Sequence, residues 1–418
     1  MLQADPLQWI ASALFALAVV HTFLTQRFEA LAHRYPAHAG IWHFFGEVEA
    51  VFGIWAALLL LAMVFLRGPA APVDYLEGLD FTEPMFVFVI MVVAASRPVA
   101  QCCLGVVQFF VRCLPLPPAV AFYFLALSVV PLLGSFITEP AAMTLAALML
   151  RDHFYAKGLS TRLKYATLGV LFVNVSIGGT LTSFAAPPVL MVASKWGWDS
   201  LFMLTHIGWK AALAVLINAA VVSTLFAGQL RKLDYEREQR SDVPVLLTVM
   251  HLLCLAGVVA MAHHPKVFMA IFLLFLGVVS AYDRFQDRLI LREGLMVALF
   301  LAGLVVLGTL QQWWLQPVLA GMDDTVLYFG ATALTAVTDN AALTYLGSLV
   351  EGIDDNFRYA LVTGAVTGGG LTVIANAPNP AGFAVLKEHF AQQTIAAGGL
   401  FVAALAPTCV AVLCFLLL

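Results

Sequence analysis

The chain has 418 residues, of which 62% are hydrophobic and 11% are charged, and its mean hydropathy is +0.93. Soluble domains average about 45–50% apolar and about 25% charged residues, so the composition argues against a soluble enzyme and a disordered protein. The 21 Lys and Arg residues do not outnumber the 25 Asp and Glu residues, and no basic surplus attracts nucleic acid. The sequence therefore predicts an all-α polytopic membrane protein whose partner is the lipid bilayer.

The sequence contains no residue pattern that is typical of a catalytic or metal-binding site. The six cysteines form no C-x-x-C pair, and all but Cys113 lie in apolar runs, which favours buried thiols over disulfides or a metal site. The sequence has no H-E-x-x-H motif, no nucleophile elbow and no Walker lysine motif. We therefore expect neither an enzyme nor a cofactor. The first ten residues lack Lys and Arg, which favours a retained span over a cleaved signal peptide.

Charged loops divide the chain into apolar runs. In order they are residues 7–25, 41–66, 85–113, 119–150, 159–193, 201–226, 243–262, 267–282, 295–315, 326–350, 359–390 and 394–418. Arg97-Pro98 interrupts the third run, and residues 99–113 are too short to span alone, so we expect an interfacial segment. Four other runs, 119–150, 159–193, 326–350 and 359–390, carry Gly, Pro, Thr or acidic residues near their middle. Because lipid does not tolerate irregular backbone, these breaks are expected to line a cavity.

The interrupted runs form an internal repeat. Residues 137–144 (ITEPAAMT) correspond to residues 337–344 (VTDNAALT) at an offset of 200. Residues 178–185 (GGTLTSFA) correspond to residues 368–375 (GGGLTVIA) at an offset of 190. The repeat predicts helix breaks at Gly178, Gly179, Gly368, Gly369 and Gly370. The predicted division is an N-terminal scaffold (1–83), a first repeat (84–229; hairpin 119–150, broken helix 159–193), a cytoplasmic linker (230–242) and a second repeat (243–418; hairpin 320–350, broken helix 359–390).

The relative orientation of the two halves follows from counting spans. Five spans separate the two hairpins, and an odd number places them on opposite faces. This topology predicts an inverted repeat with two opposed re-entrant hairpins, two broken transmembrane helices, ten spans and both termini outside. It places 15 Lys and Arg residues in the cytoplasm and four outside, as the positive-inside rule expects. Eleven spans with an inside N-terminus remain the alternative.

Three segments resemble a known family. Residues 134–139 resemble the first hairpin tip of the ion transporter superfamily, residues 336–342 resemble its second tip, and residues 376–379 resemble the break after that tip. The superfamily includes sodium/proton antiporters, arsenite exporters and dicarboxylate and citrate carriers. The resemblance covers roughly residues 80–418 and is closest to the sodium/proton antiporters. It implies a homodimer, and we expect a bacterial inner-membrane protein. The Ser-Asn-Thr signature of the dicarboxylate carriers is absent from both tips, and the first tip carries Glu139-Pro140 where many relatives have an amide or Asp-Asn.

Two acidic residues are the principal site candidates. Glu139 and Asp339 lie near the middle of apolar runs, where a charged residue is costly and marks function. A carboxylate can bind either sodium or a proton. Alternatively, a Thr and an acidic residue before an Ala-rich helix are typical of an N-cap and first turn. The further candidate ion ligands are Thr138, Thr180, Thr182, Thr338, Asn340, Thr372, Asn376 and Asn379. Glu47 and Glu49 form either an interfacial helix end, or a proton relay or dimer contact.

These observations favour a secondary active transporter that exchanges sodium for protons by alternating access. The alternative is a sodium- or proton-coupled carrier or exporter of a small anion such as arsenite, a carboxylate or bicarbonate, because helix N-termini near the midplane bind anions. A channel is a third class, but hairpins entering from two sides suit alternating access better. Sodium is the expected transported or coupling ion.

Overall fold

A computed structural model of the chain describes residues 5–233, 242–390 and 393–418, and these residues contain helices and no strand. The first helices are α1 (Pro6–Thr22), α2 (Thr25–Arg34), α3 (Ala39–Gly46), α4 (Val48–Arg67), α5 (Ala71–Glu77), α6 (Thr82–Ala94) and α7 (Arg97–Cys113). They are followed by α8 (Pro118–Leu127), α9 (Val129–Ile137), α10 (Glu139–His153), α11 (Thr161–Gly178), α12 (Pro187–Trp196), α13 (Ser200–Met203), α14 (Trp209–Leu225) and α15 (Ala227–Leu230). The remaining helices are α16 (Val245–Ala260), α17 (Pro265–Ala281), α18 (Leu291–Gly308), α19 (Gln312–Leu319), α20 (Asp324–Thr335), α21 (Asn340–Ser348), α22 (Asp355–Gly368), α23 (Asn379–Leu386) and α24 (Ala397–Leu417).

Several helices have the length and composition needed to cross a bilayer. In the described residues these segments are Val48–Arg67, Pro118–Ile137, Ser200–Leu225, Leu291–Leu319 and Ala397–Leu417. Helices α6 and α7 form a sixth if they are counted together, although they meet at 65°. Helices α1, α16 and α17 are apolar but shorter. The described residues are therefore all-helical, and their long apolar helices support the integral membrane protein that the composition predicted.

Two predicted runs are divided in the structure. The run 41–66 is split at Glu47, where α3 ends and α4 begins. The run 85–113 bends after Ala94, and Pro98 in the first turn of α7 cannot continue the preceding helix. Arg97 at this bend donates a 2.8 Å hydrogen bond to Asp242, at the far end of the predicted linker 230–242. Most of that linker lies outside the described residues.

Helices α8, α9 and α10 form a helical hairpin whose tip is Thr138. Ser128 interrupts the helix between α8 and α9, and α10 packs back along α9. The rings of Tyr123 and Phe154 lie 5.1 Å apart, so the start of the first arm and the end of the second arm lie side by side. The hydroxyls of Tyr123 and Thr167 are 2.6 Å apart, which brings the start of α11 to this level too.

The second hairpin consists of α20 and α21, and its first arm runs parallel to α22. The hydroxyls of Tyr328 and Thr367 are 2.9 Å apart, and Thr332 Oγ1 donates to the carbonyl of Gly364. The closeness of this packing depends on glycine, because a Cβ on Gly368 would lie 2.3 Å from the Thr332 carbonyl oxygen. The second hairpin and the helix that follows it therefore form one tightly packed unit.

The two halves are joined by reciprocal packing. Helix α12 packs against α21, and α23 packs against α10. A Cβ on Gly382 of α23 would lie 2.5 Å from the Met143 sulfur of α10. Lys195 at the end of α12 donates to the Ser348 carbonyl at the end of α21. Each half therefore supplies one helix to the other half's hairpin.

Candidate functional site

Both interrupted helices end at the predicted glycines. Helix α11 ends at Gly178 and α22 ends at Gly368, and each is followed by several residues before α12 or α23 begins. The hairpin tips lie at these breaks. The backbone N–H of Asn340 donates to the Ala375 carbonyl across 3.2 Å, and Asn376 reaches the other tip. The segment between α22 and α23 thus contacts both hairpins.

Glu139 is the first residue of α10 and has no exposed surface. Its Oε2 accepts a 2.8 Å hydrogen bond from Asn376 Nδ2, whereas its Oε1 has no hydrogen-bond partner in the described residues. A Cβ on Gly179 would lie 2.6 Å from Oε1. The carboxyl group therefore lies against bare glycine backbone. A buried carboxylate with one hydrogen bond is costly unless a proton or a cation neutralises it.

Thr138 precedes Glu139 in an unusual backbone conformation. Its φ is 71°, a region that residues other than Gly adopt rarely, and such conformations cluster at functional sites. The Thr138 hydroxyl is buried without a hydrogen-bond partner in the described residues, and it does not cap α10. The capping role considered for this tip is therefore not taken by the side chain of either Thr138 or Glu139.

Further buried polar atoms on the two hairpins and at the second break have no hydrogen-bond partner in the part of the chain that the structure describes. Buried polar groups are nearly always hydrogen-bonded, and each exception requires an explanation. In the described residues the exceptions on the hairpins and breaks are Thr138 Oγ1, Glu139 Oε1, Thr335 Oγ1, Asn340 Oδ1 and Nδ2, Asn376 Oδ1 and Asn379 Oδ1. Most of them are oxygens that can bind a cation.

Asp339 has a different environment from Glu139. It is half-buried and is the N-cap of α21, where its Oδ1 accepts hydrogen bonds from the backbone N–H groups of Ala341 (2.8 Å) and Ala342 (3.1 Å). Thr338 donates its hydroxyl to the Leu334 carbonyl. The structure thus contains the capping arrangement that the sequence left open for this tip, and ion binding by Asp339 stays a prediction.

The other predicted ligands hold the breaks in place. Thr180 donates to the Ile177 carbonyl (2.7 Å). The side-chain amide of Asn379 donates to the carbonyls of Gly369 (2.7 Å) and Thr372 (2.8 Å). Hydroxyls that donate in this way still offer oxygen lone pairs to an ion.

Thr182 and Thr372 make the same contact in the two halves. Thr182 Oγ1 donates to the Ser135 carbonyl (2.6 Å), and Thr372 Oγ1 donates to the Ala336 carbonyl (2.8 Å). Each contact ties a break to the first arm of its own hairpin.

Ser135 is a site residue that sequence reasoning missed. Its hydroxyl donates to the Gly178 carbonyl (2.8 Å) and accepts from the Leu181 N–H (2.9 Å). It therefore bridges the end of α11 and the start of the break. A serine within an apolar run was the available signal, but a buried serine more often bonds its own helix, as Ser128 does with Phe124.

Residues 6–418 match the family described as Putative Na+/H+ antiporter. The chain belongs to this family. It is therefore a transporter and not an enzyme, and the match extends to the N-terminal helices that the resemblance at residues 80–418 did not cover. No curated protein matches the chain.

One cavity of this transporter reaches the region beside Glu139. It has a volume of about 610 Å³, and its walls include Glu47, Glu49 and Arg292 together with Pro140 and Pro378. Glu47 forms an ion pair with Arg292, whereas no ion pair of Glu49 occurs in the described residues. The two carboxyls proposed as a relay thus lie on the wall of one cavity, which we call the inner cavity.

A second cavity of about 510 Å³ reaches the break between α11 and α12. Its walls include Glu83, Asp199 and His263 and, at the break, Ser183 and Phe184. We call it the outer cavity. Within the described residues, no group of three or more His, Cys, Asp or Glu side chains is arranged to hold a metal ion.

Proposed function

We propose that the chain exchanges sodium for protons across the membrane and that Glu139 binds either ion. The observation that carries this proposal is the fully buried Glu139 carboxyl, which has one unpartnered oxygen and lies among unpartnered oxygens of Thr138 and Asn376. Such a carboxyl is stable in the apolar interior when it is protonated or when a cation lies against it. The two ions compete for one group, and this competition produces exchange.

Neutral oxygens complete the proposed sodium site. Thr138 Oγ1 and Asn376 Oδ1 are buried and unpartnered, and hard monovalent cations favour oxygen ligands of this kind. When Glu139 gains a proton, its negative charge disappears and the cation loses its strongest ligand. Sodium then dissociates, which is the step that couples the two ions.

Alternating access is proposed from the arrangement of the hairpins. Tyr155, beside the end of the first hairpin, donates its hydroxyl to the Lys164 carbonyl at the start of α11 (2.6 Å). The end of the second hairpin instead contacts Lys195 at the end of α12. These contacts support hairpins that open at opposite ends of the broken helix and the inverted repeat that the sequence predicted. The inner and outer cavities are the corresponding access routes.

The proposed orientation in the membrane rests on the distribution of Lys and Arg, and the proposed oligomeric state rests on the family resemblance. The positive-inside bias supports a cytoplasmic inner cavity, ten spans and two outside termini. We also propose a homodimer in a bacterial inner membrane, because the resemblance implies the dimer.

A small anion fits the tips less well than a cation. Anion binding at a helix N-terminus requires free backbone N–H groups, but proline lacks this group and lies in the first turn of α10 (Pro140), α12 (Pro187, Pro188) and α23 (Pro380). At α21, the Asp339 carboxylate already accepts from the first free N–H groups. The geometry therefore favours sodium over arsenite, carboxylates and bicarbonate.

Reconstitution of the purified protein into liposomes with an internal pH dye tests this function. Sodium added outside acidic liposomes should raise the internal pH, and Glu139→Gln should abolish the rise. Glu77→Gln, an exposed matched control on α5, should leave it unchanged. Transport of arsenite, bicarbonate or a carboxylate without sodium-driven proton movement would contradict the proposal.

A further inference from the structure

In both halves the broken helix makes the same contacts with the first arm of its hairpin. These contacts relate the residues of the two hairpins by a sequence offset that differs from the one at which their residue types match. A Cβ on Gly178 would lie 2.8 Å from the Pro131 carbonyl oxygen, and a Cβ on Gly368 would lie 2.3 Å from the Thr332 carbonyl oxygen. The glycines are 190 residues apart, as the repeat predicted, but Pro131 and Thr332 are 201 apart. The residue types of the two hairpins match at an offset of 200.

The threonine contacts agree with this shift. Thr182 and Thr372, again 190 residues apart, donate to the carbonyls of Ser135 and Ala336, which are 201 residues apart. Two independent contacts on the first arms therefore give the same correspondence. In the structure, the two hairpins therefore correspond at an offset of 201, one residue more than the offset of 200 at which their residue types match best.

At the tips, the shift changes which residue corresponds to Glu139. Glu139 lies against Gly179, and the equivalent Gly369 lies against Asn340, whose Nδ2 would be 2.8 Å from a Cβ on that glycine. Helix α10 begins at Glu139 and α21 begins at Asn340. The counterpart of Glu139 is therefore Asn340. Asp339 corresponds to Thr138, the residue before the helix.

The surroundings of Glu139 and Asn340 differ as well. Asn376 donates to Glu139, but the corresponding part of the first break contains Ala185 and Ala186, which carry no polar side chain. Both side-chain polar atoms of Asn340 are accordingly buried without partners among the described residues. One tip has a carboxyl held by an amide, and the other has an uncharged amide.

We propose that the two tips are chemically unequal and that each chain exchanges one proton for each monovalent cation. Glu139 is the exchanging carboxyl, Asn340 is an uncharged ligand at the equivalent position, and Asp339 holds the start of α21. An amide does not titrate, so the second tip carries no proton. This inference rests on the proposed function and specifies its stoichiometry.

The carboxyls of Asp339 and Glu49 are the alternative proton carriers near the tips. Asp339 interacts electrostatically with Glu139, and Glu49 of the inner cavity interacts with Asp339. Asp339 is half-buried and bound by two backbone N–H groups, whereas Glu139 alone among the acidic residues of the described chain is fully buried. We therefore assign the exchange to Glu139 and the capping of α21 to Asp339.

Proton release on cation binding tests the inference without transport. Sodium is added to the detergent-solubilised protein in weakly buffered solution with an indicator dye, across the neutral pH range. We expect a maximum of about one proton per chain for the wild type and for Asp339→Asn, and none for Glu139→Gln. Asn340→Asp places a second carboxyl against Gly369 and should raise the maximum toward two.

The opposite results would overturn the inference. These are two protons from the wild type, no release from folded Asp339→Asn, or an unchanged count in folded Asn340→Asp. Cation binding is measured separately as the rise of the unfolding temperature with sodium, lithium or potassium. A rise with two released protons contradicts only the stoichiometry, whereas no rise with any of the three cations contradicts the proposed function as well. If Glu139→Gln does not fold, the Asp339 and Asn340 variants decide the question.

Discussion

Asn376 Nδ2 donates a 2.8 Å hydrogen bond to Glu139 Oε2, across 237 residues of sequence. This bond joins the break between α22 and α23 to the tip of the first hairpin. It is the one hydrogen bond of the Glu139 carboxyl in the described part of the chain. A movement of the break therefore changes the environment of the carboxyl directly.

Asn376→Ala removes this donor and leaves the Glu139 carboxyl without a hydrogen bond. We expect the protein to lose about 1–3 kcal/mol of stability, the cost of an unsatisfied buried group, and sodium-dependent proton exchange to require more sodium. Thermal unfolding in detergent and liposome exchange measure the two effects. Asn356→Ala, the same change at an exposed position of α22, should alter neither. Equal effects of the two substitutions would remove the special role of Asn376.

Gly179→Ala places a methyl group where the Glu139 carboxyl lies. Because the added Cβ would be 2.6 Å from Oε1, Glu139 must move, and we expect loss of exchange in a protein that still reaches the membrane. Gly277→Ala is the control, since a Cβ there meets nothing within 4 Å. Normal exchange by Gly179→Ala would show that the Glu139 position is not critical.

The sequence predicted the helix breaks well because their causes are local. Glycine and proline end helices through their own backbone properties, and α11 and α22 end at Gly178 and Gly368. The residue correspondence at the tips could not be predicted in this way. It depends on which carbonyl of the first arm packs against a glycine of the following helix, and Glu139 and Asp339 look equivalent when only residue types are compared.

The hydrogen bonds of Ser135 and the packing of α12 on α21 could not be predicted from the sequence either, because both join segments that are far apart in the chain. The division of run 41–66 at Glu47 was missed, although Gly46, the last residue of α3, was the available signal.

Glu49→Gln tests the proton relay of the inner cavity. Glu49 lines the same cavity as the Glu47–Arg292 ion pair and Pro140 beside the first tip, and a relay through this cavity uses the Glu49 carboxyl to carry the proton. We expect slower exchange, while the sodium-dependent rise of the unfolding temperature stays unchanged because the binding site is intact. Glu77→Gln is again the control. Exchange at the wild-type rate would contradict the relay and would favour the interpretation of Glu49 as part of an interfacial helix end.

Single cysteines test the topology. In a background without the exposed Cys113 and Cys409, a cysteine at Asp355 should react with an impermeant reagent in intact cells, because the base of the second hairpin is predicted to lie outside. A cysteine at Gln239, in the predicted cytoplasmic linker and outside the described residues, should react only after permeabilisation. The reverse pattern would invert the whole orientation.

Each half packs one helix against the hairpin of the other half, and this arrangement constrains the order in which the chain can fold during synthesis. Helix α10 packs against α23, and α12 packs against α21, but the ribosome produces α10 and α12 long before their partners. The first hairpin therefore enters the membrane with one of its packing surfaces empty, and it remains so until nearly the whole chain has been synthesised. A chain cut in the linker would leave two fragments that are each incomplete, and each would need the other to bury its hairpin.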